Sequence, residues 1–294
     1  MMTKEIEKKI TVLWDRFWSG GITNPLNAIE QITYLLFMKQ LDENDTQRID
    51  DADHLNKSYV SLFSGTFVPP GEKEENATEK IRLRWSNFTS LPSDEMLVFV
   101  QSKVFPFIKQ LDGASSYFTR HMANAAFLIP SGRLLSEAVK IINEIYDDLK
   151  KQNRFIDAQG DFYEYLLNSL RSAGKNGQFR TPTHIIELIS ELVQPKLGDK
   201  IADPASGTAG FLLGAYKFIL TTLSSAKYRQ IDNNGYMRGT IADKLVSKSE
   251  KKLLNEQTFY GFDIDLTMIR IGLMNLMMHG ITQPHIDYKD TLSN

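Results

Sequence analysis

Asp203-Pro204-Ala205-Ser206-Gly207-Thr208-Ala209-Gly210-Phe211 is the stretch on which the reading of this chain turns. It follows the turn Leu197-Gly198-Asp199 and a short segment, Lys200 to Ala202, that reads as a strand, and it opens an apolar helix running to about Leu220. Glycines between a strand and a helix let the backbone come close to a ligand, which then lies at the carboxyl end of the sheet. The stretch is not the GxGxxG dinucleotide pattern. It also lacks the Lys-Ser or Lys-Thr ending of a P-loop, so a nucleoside triphosphate loses most of its support.

Working outward, the same texture continues on both sides. After a polar, charged insertion at Leu223 to Gln257, a second strand is expected at Phe259 to Phe262, ending at Asp263-Ile264-Asp265. A helix from Leu266 to His279 stops at Gly280. A third strand is expected at His285 to Tyr288, just before Asp290. Before the central stretch come a helix at Asp161 to Leu170 and a cationic loop at Gly174 to Arg180. At Thr181-Pro182, Thr can cap a helix running to about Val193 and Pro is pre-set for its first turn. Strands alternating with helices predict βαβ units and a mainly parallel sheet. A carboxylate after the second strand can accept both hydroxyl hydrogens of a ribose, which is adenosine chemistry. Asp263 takes that role because it follows the apolar strand directly; Asp265 is the competing acid. Asp290 could accept a hydrogen bond from an adenine amino group.

Residues 1 to about 150 read as mostly helix. Ile6, Ile10, Leu13 and Phe17 recur at steps of four, three and four, forming one stripe that ends at Gly20-Gly21. A second helix is expected from Asn27 to Leu41, set off by Asn24-Pro25, with Ile29, Ile32, Leu35 and Leu36 facing inward. From Asp42 to Thr89 the polar composition and Pro69-Pro70-Gly71 predict a long loop with short elements around Tyr59 to Phe63 and Trp85. Helical spacing returns at Asp94 to Ile108 and at Leu134, Ala138, Ile141, Ile145 and Leu149, and these helices should pack on the first two. The polar stretch Lys150 to Gly160 marks a boundary, giving domains at 1–150 and 151–294.

Composition bounds the function. With 34 Lys and Arg against 36 Asp and Glu, the net charge of −2 supplies no field that draws in a polyanion. There is no cysteine, which excludes disulfides, thiolate nucleophiles and sulfur-ligated zinc. His54, His121, His184, His279 and His285 show no ligand spacing, so no metal is expected. The N-terminus is no secretory signal, and the longest apolar run, Met96 to Leu111, is interrupted by charges, so a cytoplasmic protein with no membrane partner is expected. Phe162, Tyr163 and Tyr165 read as packing, and Arg171, Lys175 and Arg180 as cations that touch cofactor, phosphate or solvent.

Together, GQFRTP at 177–182, DPASGTAGFL at 203–212, and FYGFDID with IRIGLMNLMMHGI at 259–281 resemble the methyltransferase motifs of type I restriction-modification modification subunits. In these adenine-N6 DNA methyltransferases, of gamma-class motif order, the Thr-Pro segment likewise precedes the Asp-Pro-x-x-Gly loop. LWDRFW, ITYLLFMKQLDE and DFYEYLLNSL resemble that family's helical domain and linking helix. The resemblance implies an α-helical N-terminal domain followed by an α/β Rossmann-like domain that binds S-adenosyl-L-methionine. It implies that Thr181 and Pro182 line the methionine end of the cofactor. Asp203, Ala205, Gly207 and Gly210 would surround the methionine amino group and the backbone turn, with Asp263 on the ribose and Asp290 on adenine N6. Ser206, where relatives often have Cys, and Ala209, where Gly is frequent, depart from the pattern but stay small. The implied partners are DNA, a specificity subunit, a second modification subunit and a restriction (motor nuclease) subunit.

Adenine's exocyclic amine is a poor nucleophile, so the family holds it with Asn-Pro-Pro-Phe or Asn-Pro-Pro-Tyr, whose ring stacks on the flipped base. This sequence has no such motif; its single Asn-Pro, Asn24-Pro25, precedes Leu26 and reads as a helix-entry turn. The expectation is therefore a chain truncated relative to the family, with an unpaired edge on its first strand and no methylation activity alone. The competing readings are a cofactor-binding or docking subunit that has lost catalysis, a methyltransferase acting on RNA or protein, and a two-domain protein whose glycine turn is structural.

Overall fold

A computed structural model describes residues 3–111, 113, 116–151, 162–167, 181–232 and 235–293. The chain divides into two compact units: a helical unit of residues 5–115 and 122–148, and a sheet unit of residues 1–4, 116–121 and 149–294.

In the helical unit, α1 (Lys4–Ser19) buries Ile6, Ile10, Leu13 and Phe17, the stripe its spacing predicts. Each such side chain contributes about 1.5–3 kcal/mol when fully removed from water. Helix α2 (Pro25–His54) begins two residues before the expected Asn27, at the Asn24-Pro25 signal itself, with Asn24 Oδ1 accepting the Leu26 N–H at 2.9 Å and Pro25 in the first turn. It does not end at Leu41. The stretch from Asp42, expected to be loop, continues as helix to His54. The reason lies some forty residues on, in Arg84. Its guanidinium bonds Asp42 at 2.6 Å and also Asp45, while Asp45 accepts Tyr59 Oη, Ser61 Oγ and the Leu62 N–H at 2.7–2.9 Å. Asp42 and Asp45 are buried, so residues that look like loop composition form the inner face of a helix neutralised from afar.

Tyr59 to Phe63, expected to hold a short element, carries no helix or strand; the hydrogen bonds that Tyr59 and the Leu62 N–H donate to Asp45 hold it instead. The short elements lie further on, as β1 (Thr66–Phe67) paired antiparallel with β2 (Thr78–Glu79), and α3 (Trp85–Phe88). Helix α4 (Ser93–Phe99) passes through a π turn at Val100–Val104 into α5 (Phe105–Ile108). Further on come α6 (Tyr117–Met122) and α7 (Gly132–Lys151). Helix α7 meets the earlier elements through Lys9–Asp148 at 2.5 Å and Trp85 Nε1–Asn143 at 2.8 Å. Its buried stripe includes Ile142 rather than the half-exposed Ile141.

The sheet unit is built on three parallel strands in the order β3 (Ile201–Asp203), β6 (Phe259–Asp263), β7 (His285–Tyr288). Helix α8, residues 162–167, buries Phe162, Tyr163, Leu166 and Leu167, in keeping with a packing role. The rest of the predicted helix 161–170, and the loop Gly174–Arg180 with Arg171 and Lys175, lie outside the described residues. Helix α9 (Thr183–Val193) starts one residue late for a Thr181 cap: Pro182 holds the cap position, and its carbonyl accepts the Ile185 and Ile186 N–H groups without a side-chain bond. A proline cap has no side-chain oxygen to offer, so the backbone makes the turn alone. Helix α10 (Gly210–Thr222) follows β3 and packs on α9.

The polar insertion between α10 and β6 carries elements of its own among the described residues. It forms a hairpin of β4 (Arg229–Ile231) and β5 (Met237–Gly239), then α11 (Lys248–Glu256), whose Ser247 and Glu250 cap each other reciprocally. Helix α12 (Leu266–Met278) joins β6 to β7. Beside β7, the Tyr117 ring stacks on His285 at 4.7 Å and His121 Nε2 lies 3.1 Å from Asp287. Among the described residues no helix is long and apolar enough to cross a membrane.

Candidate functional site

A parallel sheet points all its strand C-termini the same way, so the three loops after β3, β6 and β7 emerge at one end. Hydrogen bonds draw these loops together. The Ser206 N–H donates to Phe262 O at 2.9 Å, the Lys289 N–H to Asp263 O at 3.0 Å, and the Thr291 hydroxyl to Pro204 O at 2.9 Å. Asp203, the last residue of β3, Asp263, the last of β6, and Asp290, just after β7, therefore share one rim of the sheet.

Asp263 is the post of this rim. Its Oδ2 accepts the Gly207 N–H at 2.8 Å and its Oδ1 the Asp265 N–H at 2.9 Å, which leaves one further lone pair on each oxygen. Gly207 sits at φ +51°, a left-handed conformation that costs a side-chain-bearing residue energy, and this aims its N–H at the carboxylate. Asp265 is otherwise employed: its Oδ1 accepts the Thr267 and Met268 N–H groups as the N-cap of α12. The two acids flank exposed Ile264 but serve different tasks.

Asp203 is held differently. Its Oδ1 accepts the Ala205 N–H at 3.1 Å, while Oδ2 is buried with no hydrogen-bond partner among the described residues. Burial pushes its carboxyl above the ordinary value; the Ala205 N–H opposes this and the nearby Asp263 charge adds to it. A half-satisfied acid beside a second acid, at the mouth of a glycine turn, is an arrangement that a cationic ligand would relieve. Asp290 is exposed, with Oδ1 accepting the Leu292 N–H at 3.0 Å.

The other residues singled out from sequence fall into two groups. Ala205, Gly207 and Gly210 lie in the turn itself, Gly210 opening α10. Thr181 and Pro182 stand at the start of α9, and among the described residues no hydrogen bond joins them to that turn.

One contributor escaped the sequence reading. Asn275 of α12 is fully buried and its Nδ2 donates to Thr208 O in the turn at 2.8 Å and to Glu164 of α8 at 3.3 Å. One turn earlier Gly272 lets α12 lie against the loop, since a Cβ there would stand 3.0 Å from Gly207 O. The signal was a lone amide inside the apolar run Leu273-Met274-Asn275-Leu276-Met277. Asn24, by contrast, is fully accounted for as the cap of α2.

The sheet unit is thus a parallel α/β unit with acids at the ends of β3 and β6 and just after β7, and a glycine turn between, a layout of the methyltransferase class. Comparison with known proteins agrees. The N-6 DNA Methylase family matches residues 154–294, and the HsdM N-terminal domain matches residues 6–142. The chain therefore carries both of these domains, and its relatives include type I restriction enzyme methylase subunits.

Among its relatives is the type I restriction enzyme EcoEI methylase subunit of Escherichia coli, 28% identical over 93% of this chain and 49% of that protein. Another is the EcoKI methylase subunit of Escherichia coli K12, 23% identical over 96% of this chain and 44% of its own length. The chain thus spans about half the length of these relatives. Its fold is like that of a modification subunit of a putative type I restriction enzyme from Vibrio vulnificus YJ016, with a TM-score of 0.69 at 19% identity, covering 98% of this chain and 56% of the other.

Proposed function

We propose that this chain is the helical N-terminal domain (1–150) and the cofactor-binding half (151–294, of Rossmann-like design) of a type I modification subunit that methylates adenine N6 in DNA with S-adenosyl-L-methionine. The observation that carries the reading is the placing of Asp263, which braces Gly207, on one rim with Asp203, whose buried Oδ2 has no hydrogen-bond partner among the described residues. When bound, the cofactor supplies an electrophilic methyl group on a sulfonium centre. This chain's residues bind and orient it: Asp203 and the backbone of Ala205, Gly207 and Gly210 receive the cationic methionine end, lined by Thr181 and Pro182. Asp263 accepts the ribose hydroxyls through its spare lone pairs, and Asp290 accepts from the adenine amino group.

No residue of this chain is assigned to hold the target amine, because the sequence contains no Asn-Pro-Pro-aromatic segment. DNA, a specificity subunit, a second modification subunit and a motor nuclease subunit are the partners in this reading. The net charge of −2 supports delegating DNA recognition to another subunit, since a protein that finds DNA alone carries a basic surface. The test is transfer of tritiated methyl groups to adenine-containing duplex. The pure chain should transfer none, whereas addition of a polypeptide bearing the amine-holding motif should give label in N6-methyladenine. Label in RNA or protein but not in DNA would refute the assigned acceptor.

A further inference from the structure

Ala209 adopts φ +64° and ψ +30° while fully buried, a left-handed conformation that costs a residue with a Cβ about 1–2 kcal/mol. Such a conformation persists only where surrounding contacts over-determine it. The peptide that sets this φ is Thr208–Ala209. Its N–H end is tied to Ser206 O at 2.7 Å and its carbonyl end to Asn275 Nδ2 at 2.8 Å. The same amide nitrogen reaches Glu164 of α8, so one buried side chain spans α8, α12 and the turn.

We infer that Asn275 is a positioning residue for the cofactor: by gripping the Thr208 carbonyl it holds the peptide plane that Ala209 requires, and so presents the turn and the α10 N-terminus in the binding shape. This rests on the cofactor reading above. Asn275 touches no reacting atom and acts through residues 206–210. A glycine at 209 would adopt the same conformation without the steric cost, so the need for Asn275 should shrink in that background.

The experiment is a two-by-two cycle of Asn275→Leu and Ala209→Gly, read by calorimetric titration of each protein with S-adenosylmethionine and by circular dichroism. Asn275→Leu is expected to weaken binding about tenfold, the order expected when a buried hydrogen-bonded group loses its donor. In the Ala209→Gly background the same change should weaken binding no more than about threefold. If Asn275→Leu does not fold, Asn275→Ser, which is smaller and too short to reach both acceptors, takes its place with the same expectation. Equal losses in both backgrounds would show that Asn275 acts through the core and not the turn, overturning the inference while leaving the cofactor reading intact. No binding by the unsubstituted chain would overturn the cofactor reading, and the inference with it.

Discussion

In the proposed reading, Asp203 is a side chain that costs stability and serves binding. Its carboxyl is raised chiefly by burial, so the folded chain holds that proton more tightly than the unfolded chain does. The sign follows from linkage: the cost is absent well below the ordinary carboxylate value and fully present above the raised folded one. Asp203→Asn should therefore raise the melting temperature near neutral pH, with the gain vanishing in acid, while S-adenosylmethionine binding is lost. Thermal melts across pH, with and without ligand, check both halves. A lower melting temperature at neutral pH would show that the ionised carboxylate stabilises the turn instead. For the wild type, affinity should begin to fall at a higher pH on acidification than an ordinary Asp would dictate.

At the scale of elements, the sequence was most legible where pattern is local. The α1 stripe, the start of α2, and the bounds of β7 and α12 to within a residue all follow from spacing and punctuation. It was least legible where burial is decided by a distant residue. Asp42 and Asp45 read as solvent-facing because nothing near them in sequence reveals Arg84, and the second half of α2 was lost for that reason. Burial acts to raise the Asp45 carboxyl, but bonds from Ser61, the Leu62 N–H and Tyr59, together with Arg84, hold it below the usual range. That stabilisation is present above the unfolded carboxylate value and is lost as pH falls through the depressed one. Arg84→Ala leaves two buried carboxylates uncompensated and should destabilise the helical unit by about 3–5 kcal/mol. Urea unfolding followed by helical dichroism measures this, and a change under about 1 kcal/mol would show that the two acids rehydrate freely.

At the scale of the whole molecule, motif order pointed to the family better than composition did. Near-neutral charge and the absence of cysteine excluded classes of function but selected none. The ordered triplet of a glycine turn, an acid after the second strand and an acid after the third is legible in the sequence alone as the pattern of a nucleoside-binding sheet. Asn275 was missed because a buried amide in an apolar helix looks like any tolerated polar residue until its acceptors are seen. Among the described residues, β3 pairs with β6 on one side and with no strand on the other.

The central claim is that the rim formed by Asp203, Gly207, Asp263 and Asp290 receives S-adenosylmethionine. Equilibrium dialysis of the chain against radiolabelled S-adenosylmethionine, with adenosine triphosphate and nicotinamide dinucleotide as competitors and Asp263→Ala in parallel, tests it most directly. The account predicts saturable binding of one ligand per chain, unaffected by either competitor and abolished in the variant. Absence of binding, or binding displaced by the triphosphate and retained in Asp263→Ala, would contradict it.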